Sequence, residues 1–227
     1  MFICLYVLLA SQSPATVCPL RGLNCSWETV TRPEFMNIIA INGSPRKEGN
    51  TSQIVSEIIK GARKNKHDCE IIYLAELNIK DCTGCGVCKE KRKCVYRDDI
   101  EKIEEAILKA DLIIWASPTH WTNVSAYMQR VFERLCGFFI EPMPRRFPLK
   151  RNAKGKKAIL VTSCFAPWPI NWIFNISRSC INRMRAVCKF SGQKVINTFV
   201  LSGTTLTMKE ISEKHLTKAR NIGKQIK

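Results

Sequence analysis

Short apolar runs alternate along this chain with segments whose apolar residues recur at helical spacing. The runs fall at 37–42, 70–74, 111–117, 157–163 and 194–201. Between them, 51–64 carries a stripe of Ile54, Ile58, Ile59 and Ala62, and 98–109 carries Ile100, Ile103, Ala106 and Ile107 on one face. Segments 125–138, 173–190 and 208–226 read as further helices, the last of them basic. The run at 111–117 is apolar almost throughout, which predicts a central strand covered on both faces. Five strand–helix units in this order predict an α/β fold: a doubly wound, five-stranded parallel sheet with helices on both faces. In such sheets ligands bind beyond the carboxyl ends of the strands, where the strand order reverses. Asp98 and Asp99 stand where carboxylates suit the free N–H groups of a helix start.

Residues 1–35 do not share this pattern. Met1–Ala10 is apolar, but no Lys or Arg precedes it, and Pro14, Pro19 and Pro33 interrupt any helix. At Met36 the character changes to a buried strand. We expect residues 1–35 to be an extension outside the fold and 36–227 to form one domain; an export signal is the alternative. No stretch reaches the ~18 apolar residues of a membrane span.

Four cysteines, Cys82, Cys85, Cys88 and Cys94, fall in the loop 81–95 with the spacing C-x2-C-x2-C-x5-C. Two successive C-x2-C steps curl a chain so that three thiolates converge, and the fourth closes the set, as in peptides that wrap an iron–sulfur cube. Structural zinc, which usually draws on two separated Cys pairs, and an empty or redox-active thiol site are the rival readings. Of the twelve cysteines, Cys136, Cys164, Cys180 and Cys188 stand singly in apolar segments. They read as buried free thiols of a reducing, cytoplasmic compartment.

The first strand runs into Asn42-Gly43-Ser44-Pro45-Arg46-Lys47-Glu48-Gly49-Asn50-Thr51-Ser52 and then a helix. Gly43 and Gly49 permit tight turns. Ser44, Asn50, Thr51 and Ser52 offer hydroxyls and an amide, the helix start offers free N–H groups, and Arg46 adds a cation. The loop is neither a Walker loop nor G-x-G-x-x-G. It suits a terminal monophosphate, as in FMN; the plain alternative is a capped turn.

With 36 basic and 19 acidic residues the chain carries a formal charge of +17. Residues 1–35 sum to zero (Arg21 and Arg32 against Glu28 and Glu34), so the excess lies in 36–227. Its densest stretch, Arg145–Lys157, reads as a solvated loop or as a docking patch for an acidic partner. No nucleic-acid motif accompanies it, so nucleic acid is not expected. No Ser-His-Asp order or paired catalytic carboxylates appear, which leaves the chemistry to cofactors. His67 and His215 read as exposed helix-end residues, Trp115 as core and Cys164 as a buried small hydrophobe.

Residues 36–227 resemble the iron–sulfur flavoproteins of the NADPH-dependent FMN reductase family. The residues that carry the resemblance are Gly43-Ser44-Pro45-Arg46 with Asn50-Thr51, the four-cysteine loop with Asp98-Asp99, Ser117-Pro118-Thr119-His120-Trp121, and the helix from Ser125-Ala126-Tyr127-Met128 to Phe132-Glu133-Arg134. The resemblance implies a flavodoxin-like fold, FMN at the strand ends, a 4Fe–4S cluster on Cys82, Cys85, Cys88 and Cys94, and a homodimer or tetramer bringing one subunit's cluster near another's flavin. Carried across, Ser44, Arg46, Asn50, Thr51 and Ser52 would hold the phosphate. Pro118, Thr119, His120, Trp121 and Asn123 would line the isoalloxazine, with His120 a candidate for proton delivery. The chain departs from the family at His120-Trp121 and in a third loop that is not Gly-rich, Ser163-Cys164-Phe165-Ala166-Pro167-Trp168-Pro169, where Trp168 or Trp172 would pack near the ring. The expected function is electron transfer between the cluster and FMN, with an acidic carrier such as ferredoxin as partner. The alternative is an NAD(P)H-dependent FMN or quinone reductase without a cluster.

Overall fold

The computed structural model describes residues 35–91, 93–141, 149–150, 152–204 and 210–227. The five apolar runs form the strands β1 (Asn37–Asn42), β2 (Asp68–Tyr73), β3 (Leu112–Pro118), β4 (Lys157–Ser163) and β5 (Lys194–Leu201). They pair in the order β2-β1-β3-β4-β5, parallel throughout. That is the doubly wound order of flavodoxin-like sheets, with its switch point between β1 and β3. The helices are α1 (Asn50–Arg63), α2 (Val87–Lys91), α3 (Ile100–Lys109), α4 (Ala126–Arg134), α5 (Cys136–Phe139), α6 (Trp168–Ile173), α7 (Ile176–Ser191) and α8 (Glu213–Lys224). A two-residue ribbon pairs Ile140–Glu141 with Leu149–Lys150.

Side-chain alternation along each strand builds two cores. Ile38, Ala40, Leu112, Ile114, Ile159 and Val161 face α1 and α8. Ile39, Ile41, Ile113, Trp115 and Leu160 face α3, α4 and α7. Trp115 is fully buried; its indole N–H donates to Gln193 Oε1 at 2.9 Å, and its ring meets Phe132 edge-on with centroids 5.3 Å apart.

Several boundaries move for local reasons. The helix expected at 125–138 breaks at Leu135 into α4 and α5, and that at 173–190 breaks at Asn175, which adopts φ 53. His67 is buried rather than exposed: its Nδ1 accepts from Met36 N at 3.2 Å and its Nε2 faces Ile226 O at 3.2 Å, tying β2 to the C-terminus. Residues 1–34, Arg145, Arg146 and Arg151 of the basic stretch, and the start of the expected last helix lie outside the described residues.

α1 and α8 cross at two glycines with backbone against backbone. A Cβ on Gly61 would fall 2.0 Å from Arg220 O, and one on Gly223 would fall 2.0 Å from Ile58 O. Nearby, Arg220 binds the buried Glu57 carboxylate at 2.6 Å. Gly223→Val is expected to force the helices apart, at the ~1–3 kcal/mol of core overpacking or more. The midpoint of urea unfolding reads this out.

Candidate functional site

The loops that leave the carboxyl edge from β1, β3 and β4 meet at one cavity. In the first, the buried Asn42 side chain acts as a bracket: Oδ1 accepts from Ser44 N at 2.9 Å and Nδ2 donates to Ser52 Oγ at 2.9 Å. Ser52 Oγ in turn donates to Arg46 O at 2.7 Å, and Gly49 N donates to the same carbonyl at 3.1 Å. The turn therefore folds back onto the start of α1. Gly49 stands at the N-cap position with no side-chain cap, and no acidic residue lies in the first turn. The leading N–H groups of α1 are thus left for an anion.

The second loop is stitched to the first and third. Ser125 Oγ donates to Gly43 O at 2.7 Å and accepts from Met128 N at 3.3 Å, capping α4. Gly43 is needed for this approach, because a Cβ there would lie 2.8 Å from Ser125 Oγ and 3.0 Å from Met128 Cβ. Thr51 and Ser163 share a hydroxyl contact of 2.6 Å, and Thr119 and Thr162 one of 2.8 Å. Between these loops opens a cavity of about 320 Å³, within the range of roughly 300–1,000 Å³ typical of small-molecule sites.

Seven of the expected flavin residues line this cavity: Ser44, Arg46, Asn50, Thr51, Pro118, Thr119 and His120. Ser52, Trp121 and Asn123 stand outside that lining. The Ser52 hydroxyl is engaged within the loop. Asn123 closes a turn with His120, N to O at 2.9 Å in both directions, and its Oδ1 accepts from Val124 N at 2.8 Å. Trp121 and Thr122 form the tip of that turn at φ 46 and 61, the paired left-handed conformations of a type I′ turn. The Trp121 side chain is 99% exposed. Trp168 and Trp172 are exposed on α6, and the aromatic that lines the cavity is Phe165. The third loop lines the cavity through Ser163 and Phe165 rather than through Trp168 or Trp172, and Gln53, Thr204 and Glu210 are lining residues that sequence reasoning missed. Cys164 is buried, as expected, and burial pushes its thiol pKa up.

The cysteine loop leaves the same edge after β2, the neighbour of β1. Gly84 and Gly86, at φ 67 and 74, supply the left-handed steps that curl the chain between Cys82, Cys85 and Cys88. Cys82 and Cys85 are exposed; Cys88, on α2, and Cys94 are half-buried. Of the cations between the third and fourth cysteines, Lys93 faces Glu101 at 3.8 Å, and Arg92 lies outside the described residues.

Arg134, only 3% exposed, clamps the two stems of this loop. It donates to Asp98 at 2.7 and 3.1 Å, to Lys80 O at 2.7 Å and to Tyr96 O at 3.2 Å. Asp98 also accepts from Lys80 N at 3.0 Å and from Ile100 N at 3.1 Å. Asp99 accepts from Asn78 N at 2.7 Å rather than capping α3. Burial alone would raise the Asp98 carboxyl, but the bonds from Arg134, Lys80 and Ile100 outweigh it and hold the pKa below its ordinary 3.8. Cys94 lies beside the guanidinium, whose Nε is buried without a hydrogen-bond partner. The sequence showed the charge of Arg134 but not its burial.

Cys136 departs from expectation. It is exposed, and the glycine that follows it packs against Cys88 of the cysteine loop. Burial pushes the Cys88 thiol up, and the surrounding thiols add to this in the order Cys136, Cys94, Cys82, Cys85.

The donor chemistry fits an iron–sulfur cluster: four thiols on one curl, a buried cation at the last of them, and open space around both glycines. Among the described residues no three His, Cys, Asp or Glu side chains crowd closely enough to grip a single metal ion. The four corner ligands of a cube each bind a different iron. The uncapped helix start, the hydroxyls around it and Arg46 likewise fit a phosphate, and hence FMN.

Comparison with known proteins agrees with this architecture. The sequence profile of the family described as NADPH-dependent FMN reductase matches residues 36–165, which include the loops after β1, β2 and β3 and the start of the one after β4. The chain belongs to the NADPH-dependent FMN reductase family. An "Iron-sulfur flavoprotein" of Methanocaldococcus jannaschii is 35% identical over 124 residues, covering 55% of this chain and 62% of that protein. One of Clostridioides difficile is 36% identical over 132 residues, covering 55% and 58%. The matched segment thus spans less than two thirds of these relatives. A solved NAD(P)H:quinone oxidoreductase from Methanothermobacter marburgensis superposes with a TM-score of 0.71 over 84% of this chain and 98% of that one, at 16% identity, which shows a shared flavodoxin-like fold. No helix among the described residues is long and apolar enough to cross a membrane.

Proposed function

We propose that this chain is a flavin-dependent oxidoreductase, an iron–sulfur flavoprotein in which residues 36–227 hold both FMN and a 4Fe–4S cluster and 1–35 stand outside the fold. The observation that carries this reading is the placing of two cofactor-type sites on neighbouring strands of one sheet edge: the uncapped start of α1 after β1, and the four-cysteine curl after β2. The names of the relatives support it. When bound, FMN exchanges one or two electrons and the cluster one, so the pair can connect one-electron carriers with two-electron partners.

The chain's own residues supply position and electrostatics. Backbone N–H groups at Asn50 and Thr51 and the Arg46 guanidinium hold the phosphate, while the Ser44 hydroxyl, which donates to Arg46 O at 3.1 Å, shapes the turn around it. Pro118, Thr119 and Phe165 wall the ring side of the cavity, and His120 at its rim can exchange a proton with the flavin. Cys82, Cys85, Cys88 and Cys94 hold the cluster, and Arg134 neutralises part of its negative charge. The excess of +17 suits an acidic electron carrier of the ferredoxin kind, in a cytoplasmic homodimer or tetramer.

Arg46→Gln is expected to weaken FMN binding about 10- to 100-fold, the loss of one charge-assisted hydrogen bond of roughly 1.5–3 kcal/mol. Quenching of flavin fluorescence measures it. For the function as a whole, the test is anaerobic assay of the reconstituted protein. Reduction of its flavin by a reduced one-electron carrier, lost when iron is removed, supports the proposal. Steady oxidation of NAD(P)H at the same rate with and without iron would establish the cluster-free reductase instead.

A further inference from the structure

We propose that Cys136 is a fifth thiol of the cysteine site, placed to take the last ligand position of the cluster in place of Cys94. The inference rests on the cluster reading above.

The compact motif ends at Cys94, inside the loop. Cys136 belongs to a different part of the chain, the first residue of α5, directly after the α4 helix that carries the Arg134 clamp. α5 backs onto Cys88 with no side chain between them: a Cβ on Gly137 would fall 2.6 Å from Cys88 Cβ and 3.3 Å from Cys88 Sγ. Glycine at 137 is what lets the helix and the third cysteine approach, and it brings the neighbouring residue, Cys136, to the edge of the cysteine loop. Cys136 is exposed like Cys82 and Cys85, whereas Cys164, Cys180 and Cys188 are buried in the body. A free thiol kept for packing would have been buried.

Cys88 therefore has two neighbours competing to complete the set. Cys94 approaches from the loop and is drawn toward the guanidinium of Arg134. Cys136 approaches from a helix fixed to the body of the fold. Exchange between them is balanced: one iron–sulfur bond breaks, one forms, and the proton released by Cys136 passes to the sulfur of Cys94. The thiolate count on the cluster does not change, so no oxidant or reductant enters.

The test uses the full chain as wild type, Cys94→Ala, Cys136→Ala and Cys94→Ala/Cys136→Ala. Each is reconstituted anaerobically with iron and sulfide, passed over a chelating resin, and measured for iron and FMN per chain; unchanged FMN certifies the fold. Wild type and Cys94→Ala are expected to keep about four irons, while the double variant loses its iron. Loss in Cys136→Ala with retention in Cys94→Ala supports the inference equally. A Cys94→Ala protein as iron-poor as the double variant would overturn it, as would a double variant that keeps its iron. Wild type without iron would overturn the cluster reading along with it, and so separates the two failures.

Discussion

Replacing Cys85 with Ala is expected to give a protein that still binds FMN and holds no iron. Cys85 sits at the middle of the curl, between two glycines in the left-handed region, and its side chain is exposed. Exposed substitutions of this kind usually change stability by no more than about 0.5 kcal/mol. The thiolate is a different matter, because each corner of the cube needs its own ligand. The flavin cavity has no cysteine in its lining, and its hydrogen bonds run among Asn42, Ser44, Ser52, Thr51 and Ser163. Iron should fall from about four per chain to none, with the FMN content unchanged. Parallel loss of flavin would show that the two sites are one cooperative unit.

Arg134→Met should be the most damaging single change in the stems of the cysteine loop. It strands the Asp98 carboxylate, whose side chain is 7% exposed, and removes the donor from Lys80 O and Tyr96 O. Breaking a buried ion pair by deleting one partner costs about 3–5 kcal/mol, because the remaining charge is left without compensation. Replacing Asp98 as well, in Arg134→Met/Asp98→Leu, should recover part of that loss. The pH dependence has a fixed sign. The Asp98 pKa is depressed in the folded state, so its contribution is fully present above the ordinary 3.8 and disappears as pH falls through the lower folded value. In Arg134→Met only the bonds from Lys80 N and Ile100 N still oppose burial at Asp98, so the protonated acid is less disfavoured than in the wild type. The gap between wild type and variant should therefore narrow on acidification, which urea titrations of the iron-free protein at several pH values would measure. A gap independent of pH would show that Asp98 is not the group left stranded.

Local pattern made the sheet legible in advance. β3 is apolar at nearly every position because both of its faces are covered, and α3 shows its buried stripe of Ile100, Ile103 and Ile107 directly. The cysteine curl and the loop after β1 were equally visible, since closely spaced residues of one chemistry need no tertiary context. What the sequence hid lies where distant segments meet. Leu135-Cys136-Gly137-Phe138-Phe139 continues an apolar pattern, so nothing local separates an exposed thiol beside Cys88 from a buried one; Gly137 is the one clue, and it acquires meaning only against α2. Ser52 looks like a phosphate donor by type, yet its hydroxyl closes the loop on Arg46 O. His67 looks like an exposed helix-end residue, yet the last residues of the chain cover it. Arg134 is one of many basic residues in the sequence, and only its partners set it apart.

The most direct test of two cofactor sites on one sheet edge is a stoichiometry. Protein prepared without oxygen, supplied with iron, sulfide and FMN and then desalted, should carry about four irons and about one flavin per chain, with broad visible absorbance beneath the flavin bands. A colourless product with neither iron nor flavin would contradict the account.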